Sequence, residues 1–139
     1  MDQIQVVIDA NVLYAGLYSA HGASFLVLRA VDERRLVPVL STTLLFEYEH
    51  VLRRHQEILD LTDKDVDDVL DGFCSRGAHQ EVYYLWRPQL PDPKDDHVLE
   101  LAVASGGVTI VTHNVRHFGA ACAFGIEVVR PFELIGELK

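Results

Sequence analysis

Cysteine is nearly absent: the 139 residues carry only Cys74 and Cys122, in no metal-ligand spacing. That argues against a disulfide framework and points to a reducing cytoplasm as the expected compartment. Long apolar runs are missing too. No stretch approaches the roughly 18–20 residues of a membrane span, and the opening Met1-Asp2-Gln3 lacks the basic-then-apolar pattern of a signal peptide. No membrane association is therefore expected. Positive charge is scarce: 12 Lys and Arg stand against 21 Asp and Glu, a formal net charge of −9. Such a chain has little non-specific attraction for a phosphate backbone. A nucleic-acid enzyme is still allowed, because acids gathered at a metal site count toward the total and a bound cation reverses the local field. Glycine-rich phosphate loops are absent, as is a Gly-x-Ser-x-Gly elbow, which disfavours dinucleotide enzymes and hydrolases of that type.

What is present is a globular composition, 49% hydrophobic, at a length suited to one domain over residues 1–139. Residues 4–8 read as a strand and 11–18 as a short helix or turn. A helix over 25–35 starts at Ser24, with Phe25, Leu28 and Val31 or Asp32 on one side. Residues 36–40 form a second strand, in which Pro38 hints at an edge or a strand start. Ser41 or Thr42 caps a helix over 43–55. Thr62 and Asp65 form a weakened capping box for a helix reaching about Cys74. Residues 81–86 are strand-like and aromatic, and Pro91-Asp92-Pro93 is a loop. Asp95 or Asp96 opens a helix that ends near Gly106-Gly107. Strands follow at 108–111 and 126–129, and Pro131 starts a terminal helix. This alternation predicts an α/β fold, a parallel-rich sheet with helices on both faces.

Four polar residues stand out. Asp9 ends the first strand just before a helix, where open α/β sheets place their chemistry. Glu47 shares a helical face with Leu44, Tyr48 and Val51 and so interrupts an apolar stripe. A buried lone carboxylate is costly, so Glu47 needs a partner or a metal; alone, it reads equally as the amphipathic edge of the stripe. Asp95 lies three and seven residues before Val98 and Ala102, pointing with the buried face, although a helix N-cap would explain it as well. Asp96, about 100° away and nearer Glu100, ranks second, and Asp92 in its Pro-flanked loop third. Asn114 stands just past the strand at 108–111, as a site residue or as a turn residue or cap. Thr112 and Ser41 also end strands and could bond the carboxylates.

Joint placement is what gives these residues weight. Three carboxylates within ~5 Å would repel pairwise by ~3 kcal/mol at an effective dielectric near 20. Such a cluster must hold a cation or protons. All-oxygen ligands suit Mg²⁺ or Mn²⁺ rather than zinc. Other candidates have plainer readings beside them. His97, His113 and His117 flank the expected pocket as rim residues or phosphate contacts. Arg53-Arg54-His55 and Arg116-His117 could hold a backbone or complement helix ends. Tyr14, Tyr83, Tyr84 and Trp86 could stack on bases, although the 81–86 segment reads better as packing.

The segments Val6-Val7-Ile8-Asp9-Ala10-Asn11-Val12-Leu13, Leu40-Ser41-Thr42-Thr43-Leu44-Leu45-Phe46-Glu47, Asp92-Pro93-Lys94-Asp95-Asp96-His97-Val98-Leu99-Glu100-Leu101-Ala102 and Val111-Thr112-His113-Asn114-Val115-Arg116-His117-Phe118 resemble the PIN domain family, nearly end to end and in family order. Within that family the segments are similar to the toxin components of bacterial toxin–antitoxin systems, akin to VapC toxins. The resemblance implies a Rossmann-like α/β/α sandwich with a mostly parallel central sheet, and a Mg²⁺- or Mn²⁺-dependent ribonuclease. It matches the family's first three acids to Asp9, Glu47 and Asp95, with Asp96 as a possible helper. The fourth position, often Asp, is Asn114 here. An amide can ligate a metal or orient water but brings no charge, so one metal should survive better than two. The resemblance also implies an antitoxin partner reaching the groove with Arg or Lys, and a homodimer. The rival expectation is a non-catalytic RNA- or protein-binding module with a degenerate site; a phosphatase- or receiver-like pocket is weaker.

Overall fold

The computed structural model describes residues 3–83 and 90–138. Five strands, β1 (Ile4–Ile8), β2 (Leu36–Leu40), β3 (Ala78–His79), β4 (Thr109–Val111) and β5 (Val128–Val129), alternate with helices α1 (Ala10–Tyr18), α2 (Ala23–Asp32), α3 (Thr42–Arg54), α4 (Gln56–Leu59), α5 (Asp63–Arg76), α6 (Asp96–Ala104) and α7 (Pro131–Glu137). The strand order is β3-β2-β1-β4-β5 and every pairing is parallel. The expected α/β fold, a Rossmann-like α/β/α sandwich, is what the chain adopts. Among the described residues no helix is long and apolar enough to cross a membrane.

The carboxyl halves of the strands are the centre of the core. Val6, Val7 and Ile8 of β1 and Ile110 and Val111 of β4 are fully buried, as continuous apolar runs in a sheet covered on both faces should be. Pro38 does not mark an edge. It pairs with Val6 inside the sheet, and β3 joins β2 only at Val39 and Leu40, beyond the residue that cannot donate. Gly77 allows β3 to approach that closely. A Cβ there would lie 2.6–2.7 Å from Leu40 Cδ1 and from the carbonyl oxygens of Phe73 and Pro38.

Helix starts follow the sequence signals. Ser41 Oγ accepts the Leu44 amide at 3.1 Å. Thr62 and Asp65 close a full capping box, at 3.0 and 2.9 Å. Two faces differ from expectation. Helix α2 buries Ser24, Val27, Ala30 and Val31 and leaves Asp32 exposed. Gly16 lets α1 and α2 approach, since a Cβ there would press on Leu28 and the Ser24 carbonyl, and Ser24 faces inward with its Oγ 2.7 Å from His113 Nε2. Helix α6 is buried all round from Asp96 to Ala102, including Asp96 and Glu100, which the periodicity placed on a different face from Asp95. Residues 81–83 carry no regular structure, so the expected strand does not include them; its remainder, with Tyr84 and Trp86, lies outside the described residues.

Candidate active site

The strand order reverses between β1 and β4, the topological switch point where open α/β sheets bind ligands. Asp9 follows β1 and Asn114 lies three residues past β4. Together with Glu47 of α3 and Asp95 at the start of α6, they line one cleft of about 410 Å³, shared with Ala10, Asn11, Tyr14, Val51 and His55. Asp96 and Asp92 are not among its lining residues. Asp96 is buried, and its Oδ1 accepts the Leu90 amide at 3.0 Å, so it anchors the chain entering α6. Asp92 Oδ1 accepts the Lys94 amide at 3.0 Å, an ordinary turn contact. On α3 the fully buried ridge is Leu44, Tyr48 and Leu52, while Glu47, Val51 and His55 form the next ridge and face the cleft.

Asp9, Asp95 and Asn114 all occupy helix N-cap positions, and none makes a side-chain capping bond. Ser41 and Thr62, in the same position elsewhere, both do. Capping therefore does not account for the three cleft residues.

Thr112 organises the floor. Its hydroxyl donates to Asp9 Oδ2 at 2.7 Å and accepts from Asn11 Nδ2 at 3.3 Å and from the Asn114 amide at 3.0 Å. Asn11 Oδ1 in turn accepts the His113 amide at 3.2 Å. Below, the buried Tyr48 hydroxyl donates to the Ile8 carbonyl, tying α3 to the strand that presents Asp9. The Asp9 carboxyl is pushed up to about 6, first by burial and then by the charges of Glu47 and Asp95, against the lowering pull of the Thr112 bond. Asp95 is also raised, first by burial, then by Asp92 and Glu47, against a lowering pull from His117, whose Nδ1 stands 3.5 Å away. His97 Nε2 lies 2.9 Å from Glu47 Oε2 but without hydrogen-bond geometry, so this buried oxygen has a nitrogen beside it and no hydrogen-bond donor. Sequence reasoning placed His97 at the rim. It is in fact buried against Glu47, which is also one helical turn from its α3 neighbours Leu44 and Val51.

These acids are poorly compensated. Among the described residues no Lys or Arg lines the cleft. Arg53 is committed to Glu49 and Asp67, both at 2.9 Å, and Arg54 to His50 at 2.8 Å, so they complement their helix surroundings rather than the pocket. An orphaned carboxylate oxygen, a raised Asp9 and an all-oxygen donor set fit a hard cation such as Mg²⁺. Among the described residues no three His, Cys, Asp or Glu side chains form a ready-made metal cage. Mg²⁺ needs none, since it keeps several waters and takes one or two carboxylates directly.

A profile described as PIN domain matches residues 5–116. No curated protein matches the chain. Among solved structures, PAE2754 from Pyrobaculum aerophilum is similar at 17% identity and a TM-score of 0.61, over 97% of this chain and 89% of that one. VapBC2 from Rickettsia felis, solved bound to a DNA fragment from their promoter, is similar at 12% identity and a TM-score of 0.62, over 91% of this chain and 98% of that one. At such identities the likeness is one of fold. The profile match spans all three carboxylates and Asn114, and with it the chain belongs to the PIN domain family.

Proposed function

We propose that this chain is a Mg²⁺- or Mn²⁺-dependent endoribonuclease, the toxin component of a VapC-like toxin–antitoxin pair. Asp9, Glu47 and Asp95 would hold the cation, with Asn114 assisting through its amide. The observation that carries the reading is the convergence of three under-compensated carboxylates, from sequence positions far apart, on one open cleft. Bound there, a divalent cation would neutralise these acids and stabilise the charge that develops during attack on a phosphodiester. Thr112 fixes the Asp9 carboxylate in place and favours its ionised form. Asn11 and the Asn114 amide lock Thr112 in turn, so the acids are held before substrate arrives. Asn114 adds an oxygen ligand without charge, which favours one metal over two.

The similarity to a VapBC complex supports a cognate antitoxin as partner, and an Arg- or Lys-bearing segment would suit this acidic groove. A homodimer and a cytoplasmic location belong to the same reading. Purified protein should cleave RNA with Mg²⁺ or Mn²⁺, and Asp9→Asn should lose that activity by at least about a hundredfold. Equal cleavage by both proteins would sink the assignment. Calorimetric titration with Mn²⁺ separates the alternative: no binding at millimolar metal would leave a non-catalytic RNA- or protein-binding module, a reading that the uncharged Asn114 favours.

A further inference from the structure

Aromatic rings stand beside the acids in the cleft. Asn11, Tyr14 and Tyr18 stand at i, i+3 and i+7 on α1 and so share one face. The rings of Tyr14 and Tyr18 are nearly parallel, 5.9 Å between centroids and 21° between planes. His55, at the end of α3, meets Tyr14 edge-on at 4.8 Å. Tyr14 and His55 line the cleft beside Asp9, Glu47 and Asp95, and Tyr18 is 63% exposed just outside it. Tyr14 and His55 are half-buried, Tyr14 with part of its ring against the core, and exposure rises from them to Tyr18.

From this geometry we infer that Tyr14, flanked by His55 and Tyr18, is a stacking platform for an unpaired nucleobase next to the phosphate held at the acids. The inference rests on the ribonuclease reading and names how its substrate is gripped. Charge supplies the reason. With a net charge of −9 and no Lys or Arg among the described residues that line the cleft, counterion release can contribute little to holding RNA. Beyond the one phosphate that a cation at the acids would hold, affinity must come from contacts other than the backbone, and stacking on an aromatic face is available to every base. A paired base has no free face, so the platform selects single strands.

The test reads binding rather than turnover, in an Asp9→Asn background with Mg²⁺ present. Fluorescein-labelled hexauridylate is compared, by anisotropy, with a labelled hexamer of the same ribose-phosphate backbone lacking its bases. The oligomer with bases should bind about tenfold or more tightly. Tyr14→Leu should erase that preference and Tyr14→Phe should keep it. If Tyr14→Leu fails to fold, His55→Leu serves, with a preference reduced several-fold. Equal binding of the two hexamers, no binding of either, or an undiminished preference in folded Tyr14→Leu would overturn the platform. Loss of the ribonuclease reading would show separately, as wild-type protein that cleaves no RNA while the base preference persists.

Discussion

Asp9 stores unfavourable energy in the folded chain. Its carboxyl is held at about 6 by burial and by its acidic neighbours, whereas an unfolded chain releases that proton near 4. Between those values the folded state binds more protons. Its stability therefore falls as pH rises through this window and stays lower above it. Two pK units correspond to about 3 kcal/mol. Asp9→Asn, whose amide oxygen can still accept from Thr112, should therefore melt roughly 5–10 °C higher than wild type at pH 7.5 without divalent metal. The advantage should shrink to nothing by about pH 4, as differential scanning calorimetry across pH would show. Thr112→Val should act the other way. It leaves Asp9, Asn11 and the Asn114 amide without their shared partner, and should lower stability by about 1–3 kcal/mol in urea titration.

At the scale of elements, identical positions serve different ends. Thr62 closes a capping box at α5, while Asp95 begins α6 without one. Thr62→Ala should cost about 1 kcal/mol. Asp95→Asn should cost nothing measurable, because no cap is lost and repulsion from Asp92 and Glu47 is relieved. A fall in the urea midpoint for Asp95→Asn as large as that for Thr62→Ala would refute this division of labour. The elements themselves were largely legible in the sequence, since caps such as Ser41 and Thr62 and strands such as 4–8 are local signals. Faces were less so. The burial of α6 on every side comes from packing against β1, β2 and β4 together with α3 and the turns that follow β4, which no 3.6-residue period encodes. The inward turn of Ser24 meets His113, 89 residues away. Asp9, Glu47, Asp95 and Asn114 were visible as polar residues at strand ends and helix starts or within a stripe. The contacts of Thr112 with Asn11, of His97 with Glu47 and of Tyr48 with Ile8 join residues far apart in sequence and needed the fold to be seen.

The whole molecule carries its negative charge up to its own cleft. RNA binding should therefore depend weakly on salt: log Kd against log salt between 50 and 300 mM should have a slope equivalent to about two phosphates or fewer. A steep slope, read by anisotropy at constant Mg²⁺, would mean that exposed cations such as Arg116 dominate instead. The strand order has a further consequence, in time rather than space. Asp9 and Thr112 are 103 residues apart, and β4 must slot in beside β1 before either is in place. At roughly 5–20 residues per second, synthesis takes on the order of ten seconds to travel between them. Throughout that interval a growing chain has its first acid but no cleft around it, so under the proposed ribonuclease function the ribosome making it works beside a polypeptide whose site is not yet assembled.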